Sequence, residues 1–100
     1  MAELKIKVPR KELEVFCKKN HIRKLAFFGS VLREDFGPKS DIDVLVEFEQ
    51  GKTPGLAFFS MQNELSEILD RKVDLNTSGF LSKYFREQVM REAEVQYVIA

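Results

Sequence analysis

The chain predicts an α/β (α+β) fold: a small mixed β-sheet with helices packed mainly on one face. Three observations carry that expectation. Apolar strand patterns alternate with amphipathic helical ones in the order α-β-α-β-α-β-α. The first strand closes on Gly29-Ser30 and the second opens on Asp41-Ile42-Asp43. Those two ends meet at one ligand only if the strands run antiparallel. The segment Leu56–Leu69 is long enough to cross over and bring a third strand back parallel to the second.

Each element has a local reason. Pro9 is expected at the first helical position, where its missing N–H costs nothing. Leu13, Phe16 and Cys17 follow at i, i+3 and i+4, and Asn20-His21 end the helix. Leu25–Phe28 reads as a short buried strand. Ser30 suits the N-cap of a short helix through about Asp35, which Gly37-Pro38 then stops. Ile42–Phe48 is the second strand, with Ile42, Val44, Val46 and Phe48 on one face and Asp41, Asp43, Leu45 and Glu47 on the other. Gln50–Gly55 is a loop, and Leu56–Leu69 an amphipathic helix with Leu65, Ile68 and Leu69 on one side. Arg71–Asn76 is the third strand, carrying Val73 and Leu75 on one face and Asp74 on the other. Ser82 opens a last helix through about Ala93, with a Glu87-to-Arg91 pair at i,i+4. Val95–Ile99 is a short closing segment that fits an edge strand. Helices are expected over the face opposite the carboxylates.

Composition bounds the function. One hundred residues, 44% apolar and 32% charged, are expected to form a single domain over residues 1–100. Sixteen basic and sixteen acidic residues cancel, so a general basic footprint for nucleic acid is absent. A neutral surface favours association, and a homo-oligomer stays open. Cys17 is the only cysteine and His21 the only histidine, which leaves no disulfide and no zinc ligand set. Met1–Val8 carries charges where a signal peptide has an apolar core. No apolar run approaches the ~20 residues needed to span a bilayer. The expectation is a cytoplasmic protein.

The chemistry concentrates at Gly29-Ser30 and Asp41-Ile42-Asp43, ten intervening residues apart. Carboxylates at i and i+2 on a strand point to one face, where they repel each other. A divalent cation is the usual reason to hold them there, and magnesium takes one or two carboxylates plus phosphate oxygens. Gly29 lets a phosphate approach the backbone, and Ser30 adds a hydroxyl and a helix start. Asp74, on the neighbouring strand, becomes a third carboxylate on that face. It can complete a second metal position or accept a proton from an attacking hydroxyl. Arg33, Lys39 and Ser40 lie within reach of phosphate; for Arg33 a surface salt bridge is the alternative, and for Lys39 plain solvated surface. Cys17 reads as core and His21 as a helix-end residue. Phe58, Phe59 and Met61 read as core, with a nucleobase pocket or a dimer patch left open.

Gly29-Ser30, ten residues, Asp41-Ile42-Asp43 and Asp74 on a later strand together resemble the minimal nucleotidyltransferases of the DNA polymerase beta superfamily. The resemblance covers nearly the whole chain. It implies the nucleotidyltransferase fold, with catalytic and metal-binding Asp41, Asp43 and Asp74, and one or two Mg²⁺ ions. It also implies triphosphate contacts from Gly29 and Ser30, with Arg33 and Ser40 beside them, and ATP as substrate. Members this short resemble the antitoxin half of a toxin–antitoxin pair. Their partner is a helical HEPN-type toxin, and some attach AMP to a toxin tyrosine. Two other functions stay open at this point: a non-catalytic module that blocks a toxin by contact, and a nucleotidyltransferase for a small molecule or an RNA end. Larger superfamily members bind the acceptor with an extra domain that this chain is expected to lack.

Overall fold

A computed structural model describes residues 6–32, 37, 40–52, 54–77 and 83–99, with backbone alone for Ser30 and 83–86. Helix α1 spans Arg10–Lys19 and buries the expected seam of Leu13, Phe16 and Cys17. Pro9 stands one position earlier than expected. It is the N-cap, in extended conformation, and its carbonyl accepts the Leu13 N–H at 2.9 Å. That bond is the first of the helix, so proline still contributes where it has no N–H to lose. Asn20 closes the helix, its side-chain amide donating to the Phe16 carbonyl at 2.9 Å.

Strand β1 is Ile22–Phe28, three residues longer than the apolar run implies. Arg23 and Lys24 disguise its start. Both form ion pairs with Glu47 on the next strand, β2, which spans Ile42–Phe48. Between the strands the described part of the expected short helix is a single 3-10 turn, Gly29–Leu32; residues 33–36, where it was expected to continue, lie outside the described residues. Helix α2 is Ala57–Leu69, strand β3 Val73–Thr77, helix α3 Lys83–Glu92 and strand β4 Glu94–Val98. Ser82, expected to cap α3, also lies outside the described residues. Among the described side chains of α3 the i,i+4 hydrogen bond is Gln88 to Glu92 at 3.4 Å, and no ion pair joins Glu87 to Arg91.

The sheet order is β3-β2-β1-β4. β1 and β2 are antiparallel, β2 and β3 parallel, and β4 closes the β1 edge antiparallel. One face packs Leu25, Phe27, Ile42, Val44 and Val46 against α1 and against Met61 and Leu65 of α2. The expectation fails for the last helix. Val89 of α3 packs on Phe28 and Leu45, which lie on the same face as Asp43. Phe28 and Leu45 are large apolar side chains on the carboxylate face and need cover, which α3 supplies.

The outer edge of β3 is closed by side chains. Ser66 Oγ accepts the Val73 N–H at 3.1 Å and Gln62 Oε1 accepts the Leu75 N–H at 2.9 Å. The two acceptors stand one helical turn apart on α2, so they match alternate residues of the strand. They satisfy backbone donors that a bare edge strand leaves open to another chain.

Cys17 is fully enclosed in the larger core, and burial pushes its thiol from the ordinary 9.0 up to about 12. Between those values the unfolded chain ionises while the folded chain keeps its proton. The Cys17 contribution to stability is therefore fully present below pH 9 and is lost as pH rises toward 12. Urea midpoints measured across that range will fall more steeply for wild type than for Cys17→Ala. Identical slopes would contradict the buried thiol.

Candidate active site

Strand β1 ends at Phe28, and Gly29 turns the chain with φ 75°. Phe28 pairs across the antiparallel ladder with Asp43. That register brings the Asp43 carboxylate onto the Gly29 Cα. A Cβ placed on Gly29 would overlap Asp43 Oδ2 and stand 3.1 Å from its Cγ. Glycine is thus required twice, by its left-handed backbone and by its neighbour's carboxylate. The sequence reading assigned Gly29 to phosphate alone; its packing against Asp43 depends on strand register.

Asp43 also pairs with Asp74 in the parallel ladder between β2 and β3. The two carboxylate-bearing residues are neighbours on one face, Asp43 half-buried and Asp74 exposed. Asp41 lies one residue ahead of β2, exposed, with Lys72 Nζ 4.0 Å from its Oδ2. The Ile42 N–H donates to the Lys72 carbonyl at 2.9 Å and holds the two strand entries together. Among the described residues no three acidic, histidine or cysteine side chains form a ready-made metal cage. Carboxylates aligned on one face suit a hard cation that takes its remaining oxygens from a ligand, which is the habit of magnesium. The donor set fits such an ion on those terms.

A family model for the nucleotidyltransferase domain matches residues 10–95, which include both acidic strands and the Gly29 turn. The chain belongs to the nucleotidyltransferase family. A candidate protein adenylyltransferase of Methanocaldococcus jannaschii is 37% identical over 84 residues, 83% of this nucleotidyltransferase and 84% of the relative. A solved structure of a candidate minimal nucleotidyltransferase superposes with a TM-score of 0.70 at 34% identity, covering 84% of this chain and 85% of that one. A chain in the complex of the tri-AMPylated Shewanella oneidensis HEPN toxin with its MNT antitoxin gives a TM-score of 0.65 at 21% identity, covering 90% and 70%. The last likeness is one of fold.

The remaining expected residues of the nucleotidyltransferase fall into two groups. Ser40 is near Asp41 but its polar groups are engaged in the preceding turn. Its N–H donates to the Gly37 carbonyl at 3.0 Å, and its Oγ accepts the Gly37 N–H at 3.1 Å. Arg33, Lys39 and the Ser30 side chain lie outside the described residues; the Ser30 backbone is part of the 3-10 turn. The aromatic group divides. Met61 is core, Phe58 packs edge-on against Phe48 with centroids 6.5 Å apart, and Phe59 stands exposed. His21 lies past the end of α1, its Nδ1 3.8 Å from Glu49.

Arg71 was not singled out in the sequence. Its Nη2 donates to the Gly37 carbonyl at 2.5 Å and to the Ser40 carbonyl at 2.9 Å. The guanidinium therefore clamps the turn that delivers Asp41, from the far side of the crossover. A charged residue ahead of a strand looks like solvated surface in sequence, and only topology brings it to Gly37. Arg71→Ala removes two charge-assisted bonds, each worth about 1.5–3 kcal/mol at most. The partly exposed carbonyls regain water, so a net loss of about 1–3 kcal/mol is expected. Urea unfolding checks this, with Arg71→Lys recovering part of the loss.

Proposed function

We propose that this nucleotidyltransferase moves AMP from ATP to an acceptor hydroxyl, a tyrosine of a HEPN-type toxin, and so acts as an antitoxin. The observation that carries the reading is the register of Gly29, Asp43 and Asp74 across three adjacent strands. It sets a backbone cradle beside two carboxylates on one face. The names of its relatives support the acceptor class: a candidate protein adenylyltransferase, and an AMPylated HEPN toxin in complex with an MNT antitoxin.

Gly29 and the Ser30 backbone receive the triphosphate, with Ser30 and Arg33 as further polar contacts and the Ser40 O–H, whose oxygen already accepts the Gly37 N–H, as a third donor. Asp41, Asp43 and Asp74 would hold one or two Mg²⁺ ions. Bound there, magnesium neutralises charge on the phosphate oxygens. Asp43, fixed between Gly29 and Asp74, sets the height of the nucleotide over the sheet. Arg71 keeps the turn before Asp41 in place. The acceptor hydroxyl attacks the α-phosphorus, Asp74 takes its proton, and pyrophosphate leaves. Positioning and charge neutralisation supply most of the rate.

The test is incubation with α-labelled ATP, Mg²⁺ and a HEPN toxin partner. Label on a toxin tyrosine, lost in the Tyr→Phe toxin, is the expected result. Toxin neutralised without label would instead mean blocking by contact, and label on an RNA end or a small molecule alone would end the antitoxin reading.

A further inference from the structure

The two edges of the sheet differ. The outer edge of β3 is closed by Ser66 and Gln62. β4 forms the opposite edge. Among the described residues, the hydrogen bond that reaches its outer side from another element runs from Arg10 Nη1 to the Gln96 carbonyl, at 3.4 Å. The Ile99 N–H donates inward, to the Arg23 carbonyl of β1 at 3.0 Å. Bonded positions alternate in an antiparallel ladder, so Val98, opposite Lys24, turns its own N–H and carbonyl away from β1. The ladder then shifts by one residue, between the Leu25–Tyr97 and Ala26–Val95 pairs. Gln96 is the extra residue, and Val95 is the next to turn its N–H and carbonyl outward.

The bulge has a second effect. Val95 and Val98, opposite Ala26 and Lys24, lie on one face of the sheet although they are three residues apart. They are 45% and 57% exposed. Residues 95–99 carry neither charge nor proline, which commonly guard an open edge. The bulge instead selects the partner. A regular strand has one residue between successive outward positions, and β4 has two. A second β4, turned antiparallel, also has two.

We infer that β4 is a dimer edge occupied by the β4 of a second copy of this chain, with Val95 of each copy opposite Val98 of the other. The inference does not depend on the chemistry proposed above. Each Val95–Val98 pair exchanges two backbone hydrogen bonds, and Gln96 meets Tyr97 between the pairs. The two-fold axis stands perpendicular to the sheet, so the valines of both copies share one face and pack as cross-strand pairs. No charge meets its like along residues 95–99, and the chain has no net charge to hold copies apart. The joined sheet ends in β3 on both sides, where Ser66 and Gln62 already occupy the edge. Assembly therefore closes at two copies.

Sedimentation equilibrium and amide hydrogen exchange on the full chain test this. From micromolar to millimolar concentration, wild type is expected to pass from monomer to twice the monomer mass and no further. The Val95 and Val98 amides are expected to exchange about tenfold more slowly once nine-tenths of the chain is dimer. Val98→Pro removes the outward N–H, spares the bonds to β1, and is expected to stay monomeric. A charge exchange checks the register and stands in if the proline variant fails to fold. With Val95→Lys and Val98→Lys together, lysine faces lysine and association is expected to disappear. With Val95→Glu and Val98→Lys together, each glutamate faces a lysine and association is expected to return. Melting temperatures of dilute samples of both double variants stay at the wild-type value. A wild-type monomer at millimolar concentration overturns the inference. So does a dimer that survives the lysine pair, a glutamate–lysine variant that stays monomeric, or exchange of Val95 and Val98 that ignores concentration. Growth beyond two copies overturns it too, because that needs a second open edge.

Discussion

Asp43→Asn is expected to lower AMP transfer by about 10³-fold or more while leaving the fold in place. The amide keeps the size of the carboxylate and removes its charge. Asp43 is the half-buried member of the acidic group, between Gly29 and Asp74, so its position is the best defined of the three. Removing one preorganised electrostatic group costs about 10²–10³ in known active sites. Loss of a metal-binding carboxylate adds to that, since the ion itself is held less well. Circular dichroism and the melting temperature should change little, because the strand register does not depend on that charge. Transfer at the wild-type rate in Asp43→Asn would remove the site from this face of the sheet. Asp41→Asn, which acts from an exposed position ahead of β2, is expected to abolish transfer as well.

Gly29→Ala is expected to damage both stability and transfer, and the cause can be separated by a second substitution. A left-handed backbone costs an alanine about 1–2 kcal/mol. Overlap of the new Cβ with the Asp43 carboxylate forces a shift that costs about 1–3 kcal/mol more. For a chain of this size each kcal/mol moves the midpoint by about 4–8 °C. In an Asp43→Ala background the clashing Oδ2 and Cγ are gone, and the Asp43 Cβ is at an ordinary 3.4 Å. There Gly29→Ala should cost only the backbone part. A double-mutant cycle in urea would then show coupling of about 1–3 kcal/mol. Strict additivity would mean that the two residues do not touch.

Much of the candidate site's geometry was legible because strand periodicity is a rigid rule. Alternation placed Asp41 and Asp43 on one face opposite Ile42, Val44 and Val46. The length of Leu56–Leu69 made β3 parallel to β2, and that put Asp74 beside Asp43. Antiparallel β1 followed from the need for the Gly29-Ser30 turn and the Asp41–Asp43 pair to converge on one ligand. Where the reading failed, a local signal was overridden or absent. The first residues of β1 are charged, and their ion pairs with Glu47 are visible only across the ladder. Leu45 on the polar face of β2 did mark a need for cover, and α3 meets it against Phe28. Phe58, Phe59 and Met61 look alike in sequence, and helix phase against the sheet edge separates them into packing, exposed and core positions.

Taken alone, the residues determined which chemistry is available: an acidic group on two strands, a glycine turn, and family membership through their spacing. Those properties follow from backbone geometry within a few residues, which sequence states directly. Tertiary structure decided everything that depends on register between distant segments. It set Asp43 against the Gly29 Cα, so that one glycine serves both turn and carboxylate. It carried Arg71 to the carbonyls of Gly37 and Ser40, thirty-four and thirty-one residues away. Such contacts join parts of the chain whose separation is set by the packing of α2 across the sheet, and no local pattern encodes that distance.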